Sequence, residues 1–588
     1  MGLTTSSRRR ADHVPTTIVT PNTSVDSGGL NDEDENPQEN DYITSSISAS
    51  CHGETPRDLL RKISAVTIDP EIQIKTNWSS EVYLLVALAA PTVAIQLGTV
   101  LPNFLVASQV GRLYGSLYLD GFTLANLMGN LCNLSLLQGI FTASDTLGPQ
   151  AFCAKNYAQV GLLAIRGVVA GAMILIPINF VLVTWFRPMM VAVGENNDAA
   201  KHAQDYYRVF VLALPFYVIY NATWKFLSSQ EIMMPLVLVC AFCCIFVLPL
   251  GVYGFCQESW LGFLGSAWTV VLFQSCQAIL LLVYLWARHP HTRGTWPGLS
   301  WKSIQQALFG PKGTFKTYLW LGLGGMLATS EWIYWESLTL LIGTMGVVPL
   351  SVHTIPTQVL MLGFMPGFGI GIGLAVRLGA TLPLSVERAG KLTAGTFVAC
   401  VVLFASMSLI MYGCRGWIFS LFTTEEAVID GAHEIWRKVC IYYFNLCIYA
   451  LNMGIATGLG QQWMFGTVTV TTLWGVSLPS MYYLCIIRGG GLSTAWACIT
   501  QPYIAMNAFL VFQFFFRLDW KDIQHAIRIR EGMDHRMSID APLVDNGESH
   551  NGHPLGLDRS VQMRESSSTI DERTGLLLVQ NGVHAHNY

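Results

Sequence analysis

The sequence predicts an all-α polytopic membrane protein with twelve transmembrane helices in two pseudo-symmetric six-helix lobes. Three observations lead there. Hydrophobic residues make up 52% of the chain and charged residues only 12%, against about 25% charged in an ordinary soluble domain. Apolar runs of roughly 20 residues, the length that crosses a bilayer, recur along the middle of the chain. Short stretches of the first half also return, in the same order, in the second half.

The elements follow in chain order. Residues 1–80 contain no long apolar run. They pass from basic SSRRRADHVPTT to acidic NDEDENPQEND among many Ser, Thr, Pro and Asn. This is the composition of a disordered tail, and no apolar segment follows the basic start as it does in a signal peptide. The first lobe, 81–287, holds spans at 82–107, 114–141, 160–186, 205–228, 234–255 and 261–287. The connecting loop, 288–315, divides six spans from six. The second lobe, 316–516, holds spans at 316–342, 348–374, 391–413, 437–459, 465–486 and 490–516. The second and tenth are the weakest, because each carries several polar residues. Residues 517–530 read as a short amphipathic helix on the membrane surface, with Trp520, Ile523 and Ile527 on one stripe. Residues 531–588 form a second disordered tail. An even number of crossings puts both termini on one side, and the excess of Lys and Arg on that side marks it as cytoplasmic.

The halves repeat. FTASDTLGPQAF at the end of span two matches GIGLAVRLGATL at the end of span eight, with Gly148 over Gly379. SSQE after span four matches LGQQ after span ten, LPLGVY matches LPSMYY, and GSAW matches STAW. Six is even, so both copies cross in the same sense and an axis along the membrane normal relates them. A binding cavity then forms between the halves, which favours a transporter over a static scaffold.

The matched residues also carry a family resemblance. SDTLGPQAFCAKNYAQVGLLAIRG, residues 144–167, resembles the signature between spans two and three of multidrug and toxic compound extrusion (MATE) transporters, approximately LDTLCGQAYGAK followed by a Gly and a Gln-Arg pair. Asp145, Thr146, Leu147, Gln150, Ala151, Ala154, Lys155, Gly161 and Arg166 match. TLAN at Thr123–Asn126 is similar to the family's SLAN. SEWIYWESL resembles the eukaryotic EWWAFE segment of span seven, and RLGATL at Arg377–Leu382 resembles RVGNxLG. The likeness runs in order from about residue 78 to 520. LGPQ replaces LCGQ, Ile165-Arg166 replaces Gln-Arg, Ala380 replaces Asn, and Asp120 stands where the family has a small apolar residue. By ungapped counting from Glu331, Gln358 stands where many members carry a second glutamate, and His353 where Gln is common. The resemblance implies a eukaryotic-type antiporter that exports organic compounds, cationic drugs or metabolites, in exchange for protons. It implies no cofactor. The coupling ion is H⁺, with Na⁺ as the alternative.

Span seven bears the acids that would do this. A carboxylate at mid-membrane costs roughly 2.5–3.5 kcal/mol on insertion scales, yet this span keeps Glu331 and Glu336. At 100° per residue the two lie about 140° apart around the helix, so they serve different surroundings. Glu331 shares its face with Tyr334, Trp335 and Leu338. One acid is expected to look into the lobe's cavity and the other towards a neighbouring helix or the space between lobes. The candidate proton-coupling groups are Glu331, Glu336 and His353, since histidine titrates near neutral pH. The candidate substrate contacts are Glu331, Tyr334, Trp335 and Gln358, with Met361, Phe364, Met365 and Phe368 either supplying an adaptable apolar wall or packing against lipid. Asp145, Gly148, Gln150, Arg377 and Gly379 read as structural, with Asp145 capping the next turn or pairing with Lys155 or Arg166.

Other chemistries rank lower. GPKGTFKT, 310–317, misses the phosphate-binding loop because Phe315 stands where a glycine must let backbone approach phosphate. Cys240-x-x-Cys243 has no second ligand pair nearby and reads as buried small hydrophobes. The two-lobe plan also suits a flippase or another secondary transporter, and less well a membrane-embedded enzyme. A net charge of −4 with no basic patch gives no nucleic-acid partner, leaving small organic substrates and the lipid bilayer. Glu572, Leu576 and Leu577 form an acidic dileucine pattern that a sorting adaptor would read, which suits a vacuolar or lysosomal membrane as well as the plasma membrane.

Overall fold

Helices dominate because a backbone in hydrocarbon must satisfy its own polar groups. The structure, a computed structural model, describes residues 78–256, 261–289, 291–292, 294–310, 314–422 and 426–533. Both expected tails and the Glu572–Leu577 pattern lie outside the described residues. The first half comprises α1 (Trp78–Tyr114), α2 (116–153, in three abutting segments), α3 (Tyr157–Val193), α4 (Asn197–Ser228), α5 (Met234–Phe255) and α6 (Leu264–Arg288). A short helix, α7 (Trp301–Phe309), lies in the connection. Then come α8 (Thr314–Ala328) and α9 (Ser330–Gly343), which together make span seven. They are followed by α10 (Val347–Thr381), α11 (Val386–Gly413), the short α12 (Arg415–Phe422) and α13 (Glu426–Leu459). The described chain closes with α14 (Gln462–Ile487), α15 (Gly491–Arg517) and α16 (Trp520–Glu531).

Ten of these helices are long and apolar enough to cross a membrane. The remaining two spans are the second, α2, and the seventh. The polar content of α2 agrees with the weakness read from its sequence. Span seven falls short for another reason. It breaks at Thr329, where the side-chain Oγ1 turns across to donate to Ser135 O of α2 at 2.9 Å. The tenth span, α13, is a single 34-residue helix, and its polar residues from Tyr442 to Thr457 are buried.

Two hydrophobic cores match the two lobes. One is built from α1–α6 and takes in only Tyr318, Leu321 and Val376 from the second half among its buried residues. The other is built from the second half and takes in Leu85. The repeat is also visible in backbone detail. A wide π-type turn at Cys243–Val247 precedes Leu248-Pro249 in α5, and another at Leu473–Ser477 precedes Leu478-Pro479 in α14. Proline lacks the N–H that would complete the ladder, and a wide turn is one way a helix absorbs that gap.

The halves meet along two seams, α2 against α8 and α1 against α10. Both rely on absent side chains. A Cβ on Gly139 would sit 2.5 Å from Met326 Cα, and one on Gly373 would sit 3.0 Å from Ala89 Cα. At Gly325 an added Cβ would run into Gly139 O and Thr142 Oγ1. Gly325→Val is therefore expected to lower the melting temperature of the detergent-purified protein, overpacking costing about 1–3 kcal/mol. An unchanged melt would show that this seam is not closely packed.

Candidate functional site

Even-numbered spans end on the face from which the chain enters, here called the terminal face. Between the two seams the halves are also bonded, α2 to α13 and α14 and α10 to the turn after α4, from mid-span to that face. Thr146 Oγ1 donates to Thr457 O at 2.6 Å, and Gln150 Nε2 to Gly458 O at 3.2 Å. Gln462 Nε2 donates to Thr146 Oγ1. Arg377, fully buried, holds Glu231 at 2.7 Å. The offset that sets Gly148 over Gly379 also sets Thr146 over Arg377 and Glu231 over Gln462. The Arg377–Glu231 and Thr146–Gln462 contacts are thus one contact made twice, once as an ion pair and once as a neutral bond.

Beside these contacts lies a small interlobe cavity of about 30 Å³, lined by Gln138, Thr142, Asp145, Lys225, Thr329, Thr457 and apolar residues of α10 and α13. Asp145 does not pair with Lys155 or Arg166 as expected from sequence, nor does it cap the next turn. The helix α2 runs on to Cys153, so Asp145 stays inside the bundle and takes Lys225 Nζ of α4 at 2.8 Å. Arg166 turns instead to the connection, donating to Ala307 O at 2.8 Å and Thr314 Oγ1 at 2.9 Å. Gly148 lies against Ser229 and Gly379 against Pro149, both close-packing positions.

Glu331 opens the first turn of α9, just past the break at Thr329, and is only 3% exposed. Tyr503 of α15 donates its hydroxyl to Glu331 Oε1 at 2.9 Å. Around it stand Tyr442 and Tyr449, edge-on to Tyr503 with ring centroids 4.9 and 5.6 Å away. Trp335 Nε1 donates to Tyr442 OH at 3.1 Å. Tyr334 is fully buried and shares a 2.6 Å bond with Ser477. Tyr449 OH donates at 3.0 Å to Ala328 O, a carbonyl freed by the break in span seven. Below, Asn452 Nδ2 donates to Asn507 Oδ1 at 3.1 Å, and Asn507 Nδ2 to Asn445 O at 2.8 Å. The result is an acid held by the Tyr503 hydroxyl, within a cluster of neutral tyrosine and tryptophan side chains inside the second lobe.

The other sequence candidates divide. His353 is fully buried between Trp335 and Trp496, with its Nε2 3.5 Å from Thr339 Oγ1. It belongs to the same aromatic cluster. Glu336 is only half-buried. Gln358 is exposed on α10, outside the enclosed cluster. Asp120 is exposed on α2. Phe368 lines the interlobe cavity, while Met361 is exposed. Cys240 and Cys243 are buried thiols, and no cluster of three or more metal-ligating side chains occurs among the described residues. Sequence reasoning missed Tyr442, Tyr449 and Tyr503. The tenth span's unusual polar content was the available signal for Tyr442 and Tyr449.

Comparison with known proteins bears on this arrangement. Multidrug and toxin extrusion protein 1 of Danio rerio is 26% identical over 462 residues, covering 78% of this chain and 76% of that protein. The Rattus norvegicus protein of the same name is 26% identical over 485 residues, covering 82% of each. Among solved structures, the eukaryotic MATE transporter AtDTX14 superposes with a TM-score of 0.69 at 19% identity, covering 77% of this chain and 99% of that one. A MOP superfamily transporter from Pyrococcus furiosus superposes at 0.65 with 15% identity, covering 76% and 96%. The two-lobe fold is therefore shared. The MatE family pattern itself matches residues 91–253 and 327–483, one block in each half and together more than half of the sequence. With the two-seam bundle and the repeated contacts between its halves, this establishes that the chain belongs to the MatE family.

Proposed function

We propose that the protein is a secondary active antiporter that exports organic compounds, organic cations foremost, in exchange for protons by alternating access. Glu331 is the proton carrier. The observation that carries this reading is a carboxylate enclosed by neutral partners at a helix break, in a bundle whose halves are bonded from mid-span to one face. Losing or gaining a proton there changes the charge of a site sealed from water, and Tyr503, Trp335 and Tyr449 link that site to α13, α15 and the broken span. A charge change is thereby tied to a shift of helices. Glu336 and His353 are secondary proton groups. Tyr334, Trp335 and Gln358 are substrate contacts, Gln358 meeting substrate from its exposed position on α10. The terminal face is cytoplasmic, in keeping with the basic residues on that side. The dileucine pattern would direct the protein to a vacuolar or lysosomal membrane, and without recognition by an adaptor it would stay at the cell surface.

The test uses purified protein in proteoliposomes loaded with tetraethylammonium, with H⁺ and Na⁺ gradients imposed separately. Flux is expected to follow the proton gradient and to stop when that gradient is dissipated. Flux that follows Na⁺ alone would remove protons from the scheme.

A further inference from the structure

The short amphipathic helix expected at 517–530 is present as α16, Trp520–Glu531. Its apolar stripe is spent on the protein, with Trp520 and Ile527 buried in the second-lobe core and Ile523 packed against it. Trp520 Nε1 donates to Phe514 O at 2.8 Å. Gln524 Nε2 donates to Leu382 O at 3.0 Å, and Arg528 Nε to Pro383 O at 2.9 Å. These bonds satisfy carbonyls beyond the end of α10, which a helix C-terminus otherwise leaves open. All of these anchors are in the second lobe.

The far end of the helix reaches the other lobe. Arg530 donates to Gln150 Oε1, and Gln150 in turn donates across the seam to Gly458 O. Asn156, at the turn between α2 and α3, donates to Glu531 Oε2 at 3.3 Å, while Arg530 Nε holds Glu531 Oε1 at 3.1 Å. Gly532 ends the helix in the left-handed conformation at φ 67°, a position that suits glycine. The helix also has a copy. Trp-Lys-Ser-Ile-Gln-Gln-Ala, 301–307 in α7, matches Trp-Lys-Asp-Ile-Gln-His-Ala, 520–526. Each follows the last span of its half, with a capping Ser300 or Asp519 before it. The copies are used differently. Trp301 is 72% exposed whereas Trp520 is 8% exposed.

We propose that α16 is a strap across the terminal face, rooted in the second lobe and releasable at its tip, where Arg530 and Glu531 hold Gln150 and Asn156 of the first lobe. This rests on the alternating-access reading, because opening of the terminal face separates Gln150 from Gly458 and carries α2 away from α16. The root bonds stay within one lobe and survive that motion, and the tip bonds do not. The strap thus favours the form closed at this face.

The test keeps the full-length chain. In an Asn156→Cys/Glu531→Cys variant, oxidation ties the tip down. Tetraethylammonium exchange in proteoliposomes is expected to stop on oxidation and return on reduction, with wild type under the same oxidant controlling for the native cysteines. In Arg530→Ala/Glu531→Ala the tip is free. Spin labels on unnatural amino acids at the exposed positions Ala158 and Glu387 then read the separation of the lobes. The population open at the terminal face is expected to rise by about ten-fold, as the loss of one or two partly exposed charge-assisted bonds makes. Exchange that continues in the cross-linked protein, or label distances identical in the double variant and wild type, would overturn the strap. The distance measurement needs no transport, so a carrier that moves no tetraethylammonium would count against the proposed function and leave the strap to be judged by distances alone.

Discussion

Glu331→Gln is expected to reduce proton-driven exchange to the level of protein-free vesicles while the protein still reaches the membrane and melts as wild type does. Glutamine fills the same space, and its carbonyl oxygen can still accept the Tyr503 hydroxyl that now lies 2.9 Å from Oε1. The surrounding tyrosines, Trp335 and the break at Thr329 therefore keep their packing. What is lost is the ability to carry a charge that comes and goes. Tyr503→Phe separates orientation from proton carriage. It removes one hydrogen bond, worth about 0.5–1.5 kcal/mol, and should slow exchange by roughly two- to ten-fold without uncoupling it from the proton gradient. Flux measured against an imposed pH difference checks both. If Glu331→Gln exchanges at the wild-type rate with wild-type pH dependence, the proton is carried elsewhere. Glu336→Gln, at a half-buried position outside the tyrosine cluster, should have a smaller effect than either.

Much of this architecture was legible because membrane spans announce themselves as apolar runs, and because a repeat needs only two copies of a few residues. The site was legible only in part, and the reason is range. Glu331 stood out as a carboxylate in an apolar run, but its partner Tyr503 lies 172 positions away. No local pattern connects them. The polar residues of the tenth span read as weakness in a crossing helix, whereas Asn445, Tyr449 and Asn452 face inward and form the lobe's polar floor. Span seven looked continuous because its apolar run carries on through Thr329, and the bond that Thr329 makes at the break goes to Ser135 in the other half. Asp145 was drawn to the wrong bases because span two was ended too early. Once α2 continues to Cys153, Lys155 and Arg166 lie beyond its reach and Lys225 of α4 is its neighbour. The second copy of Trp-Lys-x-Ile-Gln-x-Ala was present in the sequence, but the spacing that aligns it differs from the one that aligns the spans.

Lys225→Met should have the largest effect on stability. Lys225 Nζ and Asp145 Oδ2 form a 2.8 Å ion pair with side chains 4% and 8% exposed, and Asp145 Oδ1 has no hydrogen-bond partner among the described residues. Removing one member of a buried pair leaves its partner's charge uncompensated, at a cost of about 3–5 kcal/mol, a large share of the 5–15 kcal/mol that typically holds a domain together. The expected result is a steep fall in folded protein in the membrane and in melting temperature. Replacing both members with apolar residues of similar volume, Asp145→Leu with Lys225→Met, removes the stranded charge together with its cause, and such exchanges are often neutral or stabilising. Recovery of the melt in the double variant would make the pair's stability role one of mutual neutralisation. Transport then tests something separate. Both side chains line the cavity between the lobes with Gln138, Thr142 and Thr329, and that cavity faces substrate if the halves rock about it. A double variant that folds but does not transport would place the pair in the translocation path. Wild-type abundance and melting of Lys225→Met alone would mean that Asp145 is not held as an isolated charge when its partner is gone.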